Sequence, residues 1–133
     1  MKRILLFFVI SLILPSILNY SPAEAKGGQP FLQLAEKTYQ TPSRRVGESV
    51  SHDFVFKNTG TSVLKIMRVS PSCNCTVASY DREVPPGGTG KVTLQLDIKP
   101  EWAGKLVTQS AVMISNDKQA KKTRLKLIVD VRP

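Results

Sequence analysis

The sequence is short of catalytic equipment: 133 residues carry one histidine, two cysteines and ten acidic side chains. Acid, base, nucleophile and metal chemistry draw on such groups set close together. With one histidine and no nucleophile motif around a serine, hydrolase chemistry has no footing. Asp81 and Glu83 are too ordinary a pair to suggest a glycosidase. Gly87-Gly88-Thr89-Gly90 precedes a strand pattern and lacks the Gly-Lys-Ser/Thr ending of a phosphate loop. The aromatic-plus-glycine patterns of single-strand nucleic-acid binders are missing, as are repeats and low-complexity stretches. The length admits one domain. These absences point to a non-enzymatic binding module and away from nucleic acid.

Hydrophobic residues are concentrated at the start. Met1, Lys2 and Arg3 form a positive cluster, Ile4 to Leu14 is an apolar run, and Ala23-Glu24-Ala25 supplies small residues for cleavage. This is the layout of a secretory signal peptide over residues 1–25. The run is short for a membrane span and Pro15 interrupts it, so cleavage is expected in preference to a retained anchor. Residues 26–133 then form the mature domain, periplasmic or secreted, without a transmembrane anchor. With seventeen basic and nine acidic side chains, its formal charge is +8. Outside the cytoplasm such a charge suits anionic envelope material (lipid head groups, acidic polysaccharide) or another envelope or secreted protein. The bland alternative is a set of solvated lysines. The densest basic run, Lys118 to Lys126, makes Lys121, Lys122 and Arg124 candidate partner contacts.

Beyond the signal, the hydrophobic period is two. Strands are expected over Phe31–Glu36, Ser49–Lys57, Val63–Val69, Thr76–Tyr80, Lys91–Lys99, Leu106–Ser115 and Arg124–Val131. In Ser49–Lys57, Val50, His52, Phe54 and Phe56 share one face. In Lys91–Lys99, Val92, Leu94, Leu96 and Ile98 do. The last strand is expected to bury Leu125, Leu127, Val129 and Val131. Asn58-Thr59-Gly60 reads as a reversal in which Asn and Gly take positive φ, and Thr41–Arg45 as a loop. About seven short strands with one apolar face each predict an all-β fold, an immunoglobulin-like antiparallel β-sandwich, with a small closed barrel as the alternative.

Several motifs occur in order: Phe54-Val55-Phe56-Lys57-Asn58-Thr59-Gly60, Leu64-Lys65-Ile66, Ser72-Cys73-Asn74-Cys75-Thr76, Pro86-Gly87-Gly88 with Gly90, and Ser115-Asn116-Asp117. Together they resemble the DUF1573 family over about Phe31 to Val131, and more remotely the Hydin-type and PapD-like immunoglobulin domains. The resemblance implies the sandwich, export and an important Cys-x-Cys turn, but no reaction. Two positions depart from the family pattern. Asn74 stands where Gly is usual between the cysteines, and Tyr39-Gln40-Thr41-Pro42 replaces an Asp-Phe-Gly sequence. Asn74 in a left-handed conformation would keep the turn at some cost.

The Cys73 and Cys75 pair is the leading functional spot, and three readings stand side by side. In an oxidising compartment the thiols would pair. Residues i and i+2 of an extended strand sit roughly 6.5 Å apart, so the backbone must bend to join them, and a strained bond would serve thiol–disulfide exchange. As free thiolates they would chelate Cu(I) or Zn(II), with His52, Met67 or Met113 as weak further donors. Against that, His52 shares parity with core residues, and both methionines read as core filler or sheet surface. The third reading is a local clamp on the turn. Trp102, in a loop, is either a cap on the sandwich or an anchor for a partner.

Overall fold

A computed structural model describes residues 27–133, so the segment read as a signal peptide lies outside the described residues. Nine strands follow: β1 (Leu32–Leu34), β2 (Thr38–Gln40), β3 (Ser49–Asn58), β4 (Leu64–Pro71), β5 (Thr76–Tyr80), β6 (Glu83–Val84), β7 (Thr89–Asp97), β8 (Leu106–Ser115) and β9 (Lys122–Asp130). A single 3-10 turn, Pro100–Trp102, joins β7 to β8. The strands form a four-stranded sheet, β1-β3-β7-β5, packed on a five-stranded sheet, β2-β9-β8-β4-β6. Among the described residues no helix is long and apolar enough to cross a membrane.

Each expected strand is present, and alternation carries the core. Val50, Phe54 and Phe56 of β3 and Val92, Leu94 and Leu96 of β7 face Leu125, Leu127 and Val129 of β9 across the interior. The intervening residues face solvent, as period two requires. β2 and β6 add to the seven expected strands, but two or three residues cannot display a period. β2 also pairs parallel to β9, with Tyr39 opposite Leu127, so the sandwich is antiparallel except along this edge. The parallel pairing follows from the chain leaving the first sheet after β1 and joining the second alongside β9. In β4 a bulge between Ile66 and Arg68 turns both Met67 and Arg68 outward and returns Val69 to the core.

The motif residues at one end of the sandwich are structural. Asn58 is completely buried and its amide is fully used. Its Oδ1 accepts the Phe31 and Gly60 N–H groups at 3.3 and 3.0 Å, and its Nδ2 donates to the Ser62 and Val84 carbonyls at 2.8 and 3.0 Å. Asn58 and Gly60 do not take positive φ, contrary to the sequence expectation. Gly60 is needed because a Cβ there would run into the backbone of Gln29–Phe31. At the same end Asp117, 2% exposed, accepts the Leu32 N–H at 2.7 Å and the Gln119 N–H at 2.8 Å. Ser115 donates to the Ala120 carbonyl at 3.0 Å. Asn-Thr-Gly and Ser-Asn-Asp thus satisfy buried backbone groups where β1 enters the fold.

Candidate functional site

The cysteine turn lies at the opposite end, where β4 of the second sheet hands over to β5 of the first. Cys73 and Cys75 form a disulfide with their Cα atoms 5.3 Å apart. That is well inside the span of ordinary disulfides and closer than an extended strand would leave them. The backbone bends to reach it, as expected, and the Thr76 N–H closes the bend on the Cys73 carbonyl at 3.3 Å. Asn74 does not adopt a left-handed conformation, so Asn in place of Gly carries no backbone penalty here, contrary to the expectation.

The turn is tied to both sheets. On one side the Ser72 N–H donates to the Ser110 carbonyl at 2.7 Å, the Ser110 N–H donates to Ser72 Oγ at 3.1 Å, and Ser72 Oγ donates to Gln109 Oε1 at 3.0 Å. On the other the Asp97 N–H donates to the Cys75 carbonyl at 3.4 Å. Both cysteines are half-buried and Asn74 between them is exposed. Cys75 packs against the lower part of the core, made of Val50, Leu96, Ile98, Val107, Leu127, Val129 and Val131. The Cys73 sulfur accepts the Cys75 N–H at 3.2 Å and lies 3.9 Å from Thr76 Oγ1.

Trp102 comes to the same end. It is half-buried, packs on the same part of the core as Cys75, and has Lys99 Nζ 5.9 Å above its ring centroid. The structure therefore gathers two candidates that lie far apart in sequence.

The proposed extra metal donors are placed elsewhere. The His52 ring stacks on Tyr39 with centroids 3.6 Å apart and meets Phe54 edge-on at 4.8 Å, while its Nε2 lies 2.6 Å from Glu36 Oε1. These contacts pin the crossing from β1 to β2 onto β3. Met113 is fully buried in the core, and Met67, 55% exposed, stands on the outer face of β4. Among the described residues no three His, Cys, Asp or Glu side chains are grouped to hold a metal ion. In the disulfide form the two sulfurs are bonded to each other and are not thiolate ligands.

The basic candidates fall on one sheet face. Lys122, Arg124 and Lys126 alternate outward on β9, and Lys121 lies exposed in the turn before it. The other sheet carries balanced charge outside, with Asp53 opposite Thr93 across β3 and β7. There the Thr93 hydroxyl, and secondly Lys91, donate to Asp53 and hold its carboxyl below the ordinary carboxylate range.

Residues 32–131 match the family described as a protein of unknown function, DUF1573. The chain belongs to the DUF1573 family. No curated protein matches it. Among solved structures, a crystal structure of a protein of unknown function from Porphyromonas gingivalis is similar with a TM-score of 0.66 at 22% identity, covering 84% of this chain and 51% of that one. This DUF1573 domain thus spans about half the length of that relative. The ASH/PapD-like domain 7 of human CEP192 gives a TM-score of 0.54 at 14% identity, with 75% of this chain and 84% of that one covered. The secreted serine protease VesC from Vibrio cholerae gives 0.53 at 13% identity over 77% of this chain and 23% of that one. At these identities the likenesses carry the fold alone, and the fold of this DUF1573 domain is an immunoglobulin-like sandwich.

Proposed function

We propose that this DUF1573 chain is an exported, non-enzymatic binding module. It presents the Ser72–Thr76 turn, closed by the Cys73–Cys75 disulfide, to a partner protein of the envelope or exterior. The observation that carries the reading is the convergence at one end of the sandwich. The disulfide turn is bonded to both sheets there, and Cys75 and Trp102 pack against the same core cluster. The buried polar residues of the other motifs, Asn58, Ser115 and Asp117, serve backbone groups at the far end. A turn held by a covalent clamp and bonds to two sheets loses little freedom on binding, which favours affinity. Export rests on the signal-like segment at residues 1–25 and agrees with a closed disulfide. A photo-crosslinking residue placed at Asn74 should give a discrete adduct in the producing cell. The adduct should be absent from the same probe at Ser51 and lost in the Cys73→Ser/Cys75→Ser variant. No adduct, or one that is indifferent to the double substitution, would contradict the reading.

One arrangement favours a second reading, thiol–disulfide exchange. The Cys75 N–H and the Thr76 hydroxyl face the Cys73 sulfur, and remain available to it as a thiolate once the bond is opened. A partner thiolate attacking one sulfur forms a mixed disulfide and releases the other as a thiolate. A second thiol of the partner then resolves it, leaving the partner oxidised and both cysteines here reduced. Run in reverse, the reduced Cys73 thiolate attacks a disulfide of the oxidised partner, so Cys75→Ser, which lacks the resolving thiol, traps a mixed disulfide through Cys73, and Cys73→Ser does not. If neither variant yields a mixed disulfide, exchange is ruled out.

A further inference from the structure

The outer faces of the two sheets differ in charge. On the outer face of the five-stranded sheet stand Lys65 and Arg68 of β4 and Lys122, Arg124 and Lys126 of β9, against Glu83 of β6 and Asp130, five against two for a net +3. On the outer face of the four-stranded sheet Lys57 and Lys91 oppose Asp53 and Asp97, two against two for a net of zero. Lys65 pairs with Glu83 at 3.7 Å, and Lys91 with Asp53 at 3.1 Å. Arg68, Lys122, Arg124 and Lys126 make no ion pair with a described residue.

Register turns these four into a two-dimensional array. Arg68 pairs with Ile114 and Ile114 with Lys122, so one row carries a cation at each end about 10 Å apart, two strand spacings. Along β9, Lys122, Arg124 and Lys126 repeat every second residue, about 13 Å from first to last. Half-buried Ile114 sits within the first row and half-buried Val112 pairs with Arg124, and a shallow depression of about 350 Å³ is lined by Val112, Lys122, Thr123 and Arg124. Exposed Met67 adjoins Arg68 on the bulge.

We infer that this face docks the domain on an anionic phospholipid surface. A protein partner fits poorly, because protein interfaces are poor in lysine and anchored by aromatics, and the outer faces of β4, β8 and β9 carry no aromatic residue. A linear polyanion would use the β9 row and leave Arg68 idle. A plane of head groups engages both rows, and each basic side chain near such a surface strengthens binding about fivefold. Docked in this way, the domain has the cysteine turn at one end of the sandwich, beside the membrane-facing sheet and free for a partner.

The test is co-sedimentation of the exported protein with vesicles of phosphatidylglycerol and phosphatidylcholine, and with phosphatidylcholine alone. Binding should require phosphatidylglycerol and weaken as salt rises from about 0.05 to 0.3 M, as exposed charges are screened. Lys122→Gln/Arg124→Gln should lower the partition coefficient by about 25-fold, and Arg68→Gln by a further fivefold or so. The matched control Lys57→Gln/Lys91→Gln on the other face should change it by no more than about twofold. All variants alter exposed side chains and should melt with the wild type. Equal losses for the two double variants, binding that ignores phosphatidylglycerol, or full competition by soluble polyglutamate at matched charge would overturn the assignment. None of these outcomes depends on the cysteine turn.

Discussion

Asn58 offers the sharpest test of how the sandwich is held. It is completely buried at the end of β3, and its amide meets four backbone groups on three segments of chain. Asn58→Ala orphans all four. The Val84 carbonyl is bonded in a fully buried setting, so losing its partner costs about 2 kcal/mol. The Phe31 N–H, Gly60 N–H and Ser62 carbonyl are part-buried and regain some water, at about 0.5–1 kcal/mol each. The sum is about 4 kcal/mol, a large share of the stability of a domain this size, and should lower Tm by about 20 °C. Asn58→Asp separates hydrogen bonding from shape. It keeps both acceptor contacts but turns a carboxylate oxygen toward two carbonyl acceptors, so at neutral pH it should be at least as unstable as the alanine variant. Those acceptors and the burial raise the introduced carboxyl above its unfolded range. Its relative stability should therefore recover as pH falls through that raised value, and be lost as pH rises. Urea unfolding followed by circular dichroism reads both variants. A loss under about 1 kcal/mol for Asn58→Ala, or an Asn58→Asp variant as stable as wild type at pH 7, would refute the reasoning.

Gly90→Ala should destabilise by about 1–3 kcal/mol, because its Cβ would sit 2.7 Å from both Phe56 Cζ and Val84 Cγ2 in the core; thermal melting checks it. Cys73→Ser/Cys75→Ser should lose only about 1–2 kcal/mol and keep the native circular dichroism spectrum, since the disulfide closes a very short loop. The Thr93 and Lys91 donors depress the Asp53 carboxyl in the folded state, so its contribution is present above the ordinary carboxylate range and lost as pH falls through the depressed value. Asp53→Asn should therefore lower stability slightly above pH ~6 and flatten the acid side of the profile, the difference from wild type shrinking as pH falls. His52→Ala should loosen the crossing from β1 to β2, seen as faster amide exchange at Glu36 to Tyr39 with the β7 core unaffected.

The architecture was legible because alternation is strict in the long strands. Val92, Leu94, Leu96 and Ile98 read as one buried face in the sequence and form one. What escaped notice lacked a period: β2 and β6 are set by their neighbours, and the bulge at Met67 is invisible until Ile66 and Arg68 are paired with Ser115 and Ile114. The roles of Asn58 and Gly60 are not legible in a turn motif, which speaks to φ alone while their task is long-range, to the β1 entry and to Val84. The cysteine turn was visible as a motif. That it shares the lower core with Trp102 was not, since that cluster links segments some 27 residues apart in sequence. Of the four cations of the basic face, only Arg68 was hidden. Only three crowd together along the chain, and Arg68 joins them through two strand pairings.

The proposed function requires an exported domain whose cysteine turn is covalently closed. Intact mass measurement of the protein, purified from its own compartment without reductant, tests both halves at once. The expected mass is that of residues 26–133 less two hydrogens. A mass that retains residues 1–25, or a chain with two free thiols, would contradict it.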